Sequence, residues 1–522
     1  MLLGAGRIVA YVDDINLRRA ADRIPVVRNR ASMVHELMKV YGLLELMKTV
    51  PSSPASEDYV KLFHSSDYIN FLKAVTHTND DDLSIEEEEL EDTFGLGFDC
   101  PALPMLWSLV CHVAGGSMAA ARLLTSGQAS VAINWCGGWH HAQRDSASGF
   151  CYVNDVVLAI MQLRHKFAKV AYVDLDVHHG DGVENAFAFS RSVLTVSLHL
   201  KEDGFFPGTG TQDDVGEGEG RYFCLNVPYK AGLSDDNFVE LLKSVVEEAV
   251  QVFAPDCLVV QCGGDALALD RLGGANISID GYTRALSLLL RLQCPTMLLG
   301  GGGYEPANAA RLWTSLTASV LGTSLDLEIP EHCFFERYGP SFDLAVTPSN
   351  RRDQNSSEYL AALKSSIKAH GEEIQKRIMN KTPCQEPRYS SSNKHPCYKR
   401  SDETGSSSRI DDEPKSVLAF GISQHSLGKV PDSAPGTSTQ NKVSVTLNVD
   451  SSDLEETPFI MTDDCSMDKK GCTKKHTVVS GASRLKYSFK RQKLEEGKLS
   501  TMNAHNHEQN IEDIYDFTEG EF

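Results

Sequence analysis

Residues 172–182 read YVDLDVHHGDG, in which the end of the short β-type run VAYV (170–173) passes without a break into three aspartates and two histidines. In an extended chain Asp174, Asp176 and His178 fall at period two and project to one side. No Lys or Arg stands between them, so the group is self-repelling unless a cation neutralises it. A divalent metal held by carboxylate oxygens and an imidazole nitrogen is the economical answer. The competing reading is a polar strand end whose histidines are satisfied by hydrogen bonds.

Working outward, further apolar β-type runs alternate with helical patterns up to about residue 350. The runs are VAINW (131–135), KVAYVDLD (169–176), VLTVSLHL (193–200), CLVVQCGGD (257–265) and PTMLLGGGGY (295–304). Between and after them lie patterns with apolar residues three and four apart, such as 154–167, 236–253 and 356–378. Strands apolar on both faces and separated by helices predict an α/β fold: a mainly parallel central sheet with helices on both faces, three layers in all.

Several of these runs end in residues suited to one site. CLVVQCGGD finishes in Gly263, Gly264 and Asp265, and open α/β sheets collect ligands at that edge; a helix N-cap is the alternative role for Asp265. VAINW leads through Gly137 and Gly138 to His140 and His141. PTMLLGGGGY ends in four glycines, which permit close backbone approach to a ligand, followed by Tyr304. Two Asp and one His as ligands leave an open coordination position, the layout of a catalytic metal. Metal-assisted hydrolysis is the expected chemistry.

With 522 residues, 41% of them hydrophobic, the chain can bury a large core, and its net charge of −21 argues against a nucleic-acid-coating surface. The 13 cysteines are scattered without CxxC pairs, as expected of reduced thiols in an intracellular protein, and no apolar stretch is long enough to span a membrane. The acidic blocks at 80–82 and 86–89 are expected to form a solvated loop. After residue 378 the chain is rich in Ser, Thr, Asp, Glu and Lys, so 1–378 is expected to be the catalytic domain and 379–522 a disordered tail. Its basic clusters KKGCTKKH (469–476) and RLKYSFKRQK (484–493) read as import addresses or as solvated charge.

The strings WCGGWHHAQRDSASGFCYVND (135–155), YVDLDVHHGDGVE (172–184), GFFPGTG (204–210) and LLGGGGY (298–304) resemble those of the zinc-dependent class I histone deacetylases, within the arginase/deacetylase fold. The likeness runs to about residue 378, and NRASMVHELM (29–38) and GGGGYEPANAARLW (300–313) point to one branch of the class. The resemblance implies zinc on Asp176, His178 and Asp265, with iron as the other candidate metal. It implies catalytic roles for His140 and His141, backed by Asp174 and Asp181, and for Tyr304. Asp99 is the implied rim aspartate that holds the substrate backbone. Potassium is implied at Asp174, Asp176, His178, Ser197 and Leu198, and a second potassium around Phe187, Ser190, Val193 and Phe223.

The family's reaction is hydrolysis of N-acetyl-lysine in histone tails and other proteins, releasing acetate and repressing transcription. Substrate enters past Gly149, Phe150, Phe206 and Leu272, with Trp139 nearby. Four lysine methylenes between two aromatic rings could gain roughly 3 kcal/mol at about 0.8 kcal/mol per CH₂. His141 is the candidate general base and His140 an electrostatic element, although sequence leaves their assignment open. Implied partners are corepressor- or cohesin-type complexes, in nucleus and cytoplasm, with no direct nucleic-acid or membrane contact. Relatives tend to carry Arg at the place of Ala307 in a basic pocket for an inositol phosphate; the pocket's other arginine, Arg271, is present. Ser32, after Arg28 and Arg30, is a candidate phosphorylation site. An acetylpolyamine amidohydrolase and a scaffold acting through its tail are the alternative functions.

Overall fold

The computed structural model describes residues 7–75, 93–97 and 99–380. Among them eight strands form one sheet: β1 (Val9–Val12), β2 (Lys48–Val50), β3 (Val131–Asn134), β4 (Val170–Asp174), β5 (Val193–Leu200), β6 (Cys224–Tyr229), β7 (Cys257–Gln261) and β8 (Thr296–Leu299). Their order is β2-β1-β3-β8-β7-β4-β5-β6, and every pairing is parallel. The expected parallel sheet is therefore present. The expected runs overshoot it, because β4 stops at Asp174, β7 at Gln261 and β8 at Leu299, each where the chain turns into the site.

Alternation along the strands divides the core in two. Val131, Ile133, Ala171 and Val173 pack on one face, beneath the helices Arg30–Val40, Asp235–Val245, Ile279–Leu290, Pro306–Leu321 and Ser357–Met379. Ala132, Val170, Tyr172, Val259 and Met297 pack on the other, beneath Ile15–Ala21, Ser66–Val75, Leu106–Thr125 and Asp155–Arg164. This is the period-two rule acting on a sheet covered twice, and it accounts for strands that read as apolar throughout. The helix ends are specified locally. Ser278 accepts hydrogen bonds from the N–H groups of Asp280 and Gly281, and Gly322 closes Pro306–Leu321 at φ +68°. The pattern expected as one helix over 236–253 is interrupted by a wide π-type turn at Val246–Val250.

The acidic blocks and the chain from 381 onward lie outside the described residues. Every described cysteine is a free thiol. No described helix is long and apolar enough to cross a membrane.

Candidate functional site

Four neighbouring strands, β3, β8, β7 and β4, deliver the site from their C-terminal ends, the edge where parallel sheets collect ligands. Asp176, His178 and Asp265 are all buried, and one ligand atom from each lies within 4.8 Å of the others. His178 Nδ1 is 3.1 Å from Asp176 Oδ1 and 3.0 Å from Asp265 Oδ2. Ligands about 2.1 Å from a tetrahedral ion stand about 3.4 Å apart, so the three atoms already frame such an ion. Asp265 does not cap a helix; its other oxygen accepts the N–H of Val177 at 2.9 Å.

Electrostatics support the same fit. Burial works against a charge on His178, but the hydrogen bonds and charges of Asp176 and Asp265 outweigh it and lift its pKa to about 10. Burial, and next the charge of Asp176, raise Asp265 to about 8. For Asp176 burial opposes the charge, but the same pairing holds it well below its usual pKa. A divalent ion at the shared point restores two carboxylates and a neutral imidazole.

The period-two expectation for Asp174 fails, since the strand ends there. Its Oδ2 instead accepts from Tyr172 Oη at 2.6 Å and pairs with His140 Nδ1 at 2.7 Å. His141 Nδ1 pairs with Asp181 Oδ1 at 2.7 Å, and the two histidines meet Nε2 to Nε2 at 2.9 Å. Their environments push them apart. For His140 burial opposes the charge, but Asp174 and Asp176 outweigh it and raise the pKa to about 9. Burial, and then the charge of His140, lower His141 to about 4.

Glycine is required where the backbone touches the carboxylates of the trio. A Cβ on Gly302 would lie 1.9 Å from Asp265 Oδ2, and one on Gly263 would lie 2.1 Å from Asp176 Oδ2. Burial holds the Tyr304 phenol well above its usual pKa, so it remains a proton donor. Among the described residues nothing accepts from its hydroxyl, and its ring lies edge-on to His178 at 6.1 Å and to Phe150 at 5.5 Å.

The approach is aromatic. Gly149 is packed so closely that a Cβ would fall 2.5 Å from the His141 ring and 2.9 Å from Phe206. Phe206 lies edge-on to His141 at 4.9 Å and is 39% exposed, and Leu272 packs in the same apolar cluster as Phe150 and Tyr304. Asp99 Oδ2 accepts the Gly149 N–H at 2.7 Å. Trp139, expected nearby, packs in the same apolar cluster and is buried beside Arg30, lining a cavity of about 10 Å³ with Trp135 and Trp313. Ser197 Oγ, expected at a potassium, pairs with His199 Nδ1 at 2.9 Å, and Asp174 and Ser197 face each other in the β4–β5 register. Leu198 follows in the same buried strand. Around the second expected potassium, the Phe187 and Phe223 carbonyls each accept a backbone N–H.

Several supporting residues were not singled out in the sequence, although Asp155, Phe205 and Arg30 lie within its quoted motifs. Gln261 Nε2 donates to Asp176 Oδ2 at 2.8 Å, and Asp155 accepts the N–H groups of Gly138 and Trp139 just before the histidine pair. Phe205 stacks on His178 at 5.2 Å and 3°. Buried Arg30 donates to the Gly303 carbonyl at 2.8 Å. The only available hint was a polar residue inside or beside an apolar run. Elsewhere, Arg271 donates to the Val26 carbonyl, and Ser32 Oγ donates to Asp22 Oδ2 at 2.5 Å.

A family profile described as the histone deacetylase domain matches residues 24–320. The chain is 44% identical over 364 residues to histone deacetylase 8 of Danio rerio, covering 70% of this chain and 95% of that protein. It is 45% identical over 348 residues to histone deacetylase 8 of Xenopus tropicalis, covering 67% and 93%. Against histone deacetylase 1 of Homo sapiens the identity is 40% over 343 residues, covering 66% and 70%. Profile, relatives and the buried Asp–His–Asp trio beside paired histidines agree: the chain belongs to the histone deacetylase family.

Proposed function

We propose that this chain is a zinc-dependent deacetylase of N-acetyl-lysine in histone tails and other proteins, with residues 1–378 as the catalytic domain and 379–522 as a tail. The observation that carries the reading is the convergence of Asp176, His178 and Asp265 beside two histidines of opposed proton affinity. Two carboxylates and one imidazole suit zinc, with iron(II) the alternative in the test below. When bound, the ion supplies Lewis acidity to the acetyl carbonyl and the attacking water.

The protein groups divide the remaining work. His141, neutral near pH 7 and held by Asp181, takes a proton from the water and returns one to the leaving amine, so that amide and water become amine and acetate. His140, paired through Nδ1 with Asp174, is the electrostatic element that answers the negative charge as it develops. The Tyr304 hydroxyl donates to the oxyanion. Phe150, Phe206, Gly149 and Leu272 line the lysine's path, and Asp99 fixes the substrate backbone. Potassium at Asp174, Asp176, His178, Ser197 and Leu198 would steady the turn that carries two ligands. Action in nucleus and cytoplasm, on chromatin and within corepressor- or cohesin-type complexes, belongs to the same reading. Ala307 offers no charge to an inositol-phosphate pocket, whereas Arg271, the pocket's other arginine, uses one of its N–H groups on the Val26 carbonyl.

Metal-free protein reloaded separately with zinc or iron(II) is expected to release acetate from an acetylated histone-tail peptide, while Asp265→Ala binds neither ion tightly. Tight metal binding without acetate release from any acetyl-lysine peptide overturns the proposal.

A further inference from the structure

We infer that Asp270 is a positioning residue which, with Arg30, grips the Gly303–Tyr304 peptide unit at both ends and so aims the Tyr304 phenol into the site. This rests on the reading of Tyr304 as the oxyanion donor. Arg30 Nη1 donates to the Gly303 carbonyl at 2.8 Å, and the Tyr304 N–H donates to Asp270 Oδ2 at 2.7 Å. The peptide unit is planar, so holding its two opposite poles fixes its orientation. Both side chains are buried, with Arg30 4% and Asp270 9% exposed. Each charge is answered by the pole of the peptide dipole that suits it.

The grip answers a need created by the sequence. Tyr304 follows four glycines, with φ of +131° at Gly301 and +122° at Gly303. Such a run has the greatest backbone freedom of any composition and cannot hold a phenol in place by itself. Local turn formation does not account for Asp270. Its Oδ1 makes an ordinary Asx contact to the Leu272 N–H at 2.9 Å, but its second oxygen reaches a residue 34 positions away. One carboxylate thus ties a channel-lining residue, Leu272, to the proton donor, Tyr304.

The test is a double-mutant cycle. Asp270→Asn keeps the side-chain shape but can accept only one of the two N–H groups. In the wild-type background kcat is expected to fall by about 10²-fold, the scale of an ångström misplacement, with KM for an acetyl-lysine peptide within about twofold. In the Tyr304→Phe background the same change is expected to alter kcat by less than about twofold, because the group it aims is gone. Metal content stays at the wild-type level, and hydrogen exchange of the Tyr304 amide accelerates by about tenfold or more. Arg30→Met carries the same cycle should Asp270→Asn fold poorly. Equal losses in both backgrounds, or an unchanged exchange rate, overturn the inference. If the wild type proves to have no deacetylase activity, the functional reading fails, while the exchange measurement still decides whether the grip exists.

Discussion

Replacing Gly302 by Ala adds one methyl group where the structure leaves no room for it. The new Cβ would stand 1.9 Å from Asp265 Oδ2 and 3.0 Å from Asp176 Oδ2. Real Cβ atoms do not approach closer than 3.0 Å, so the Asp265 carboxylate must retreat by about 1.1 Å. A metal site tolerates ligand errors of about 0.2 Å. Gly302 does not have a positive φ, so alanine introduces no backbone strain of its own. The overpacking cost to the metal-free fold is about 1–3 kcal/mol. Even disturbing a residue that only orients a ligand costs about 10–100-fold in metal affinity, and here the ligand itself moves.

Gly302→Ala is therefore expected to bind zinc at least about 100-fold more weakly. The extra stability that zinc confers then falls by about 2.7 kcal/mol when free zinc is held at one fixed level well above both dissociation constants. Competition with a chromogenic chelator gives the affinity, and paired melts with and without zinc give the stability. Wild-type zinc affinity in a folded Gly302→Ala protein would refute the geometry on which the site rests.

Tyr304→Phe is expected to lower kcat by about 10²–10³-fold, roughly 3–4 kcal/mol, while peptide affinity is retained; a residual rate above about a tenth would remove its assigned role. Asp99→Ala is expected to raise KM for an acetyl-lysine peptide by about tenfold or more and leave turnover of an acetylpolyamine unaltered, and equal effects on both would deny it the substrate backbone. Buried His64 accepts the Asn154 N–H at 3.0 Å, and burial lowers its pKa from 6.5 to about 4. The unfolded chain therefore takes up a proton that the native state refuses as pH falls from 6.5 to 4, so stability drops across that window. In urea melts, His64→Gln is expected to show a fall between pH 6.5 and pH 4.5 smaller by about 2–3 kcal/mol, and an identical pH profile would count against the assignment.

The sheet was legible because five of its strands are runs of β-branched and apolar residues long enough to show a period. The strands β1, β2 and β6 were not singled out. Lys48–Val50 is only 3 residues long, and Cys224–Tyr229 carries Asn226 and Pro228. The chemistry-bearing residues could be read because each ends an apolar run with groups that no ordinary core strand carries. Periodicity alone does not give their division of labour, which depends on where the strand stops: extending β4 by two residues puts Asp174 among the ligands, whereas the chain turns at Asp174 and hands it to His140, the partner that the family resemblance implies. Neighbouring phenylalanines make the same point. Phe205 and Phe206 are equivalent as letters, yet one stacks on His178 and the other edges His141. Asp270 and Arg30 act through a backbone group supplied by a distant segment, and no local pattern encodes such a partner.

The strand order has a consequence for how the molecule comes into being. Among the described residues β8 lies between β3 and β7, pairs with both, and is the last of the eight strands along the chain. A growing polypeptide that stops short of Thr296 lacks the strand that pairs with both β3 and β7, and it also lacks the glycine loop and its phenol. The segment that completes the sheet is therefore the same one that brings the phenol to its edge.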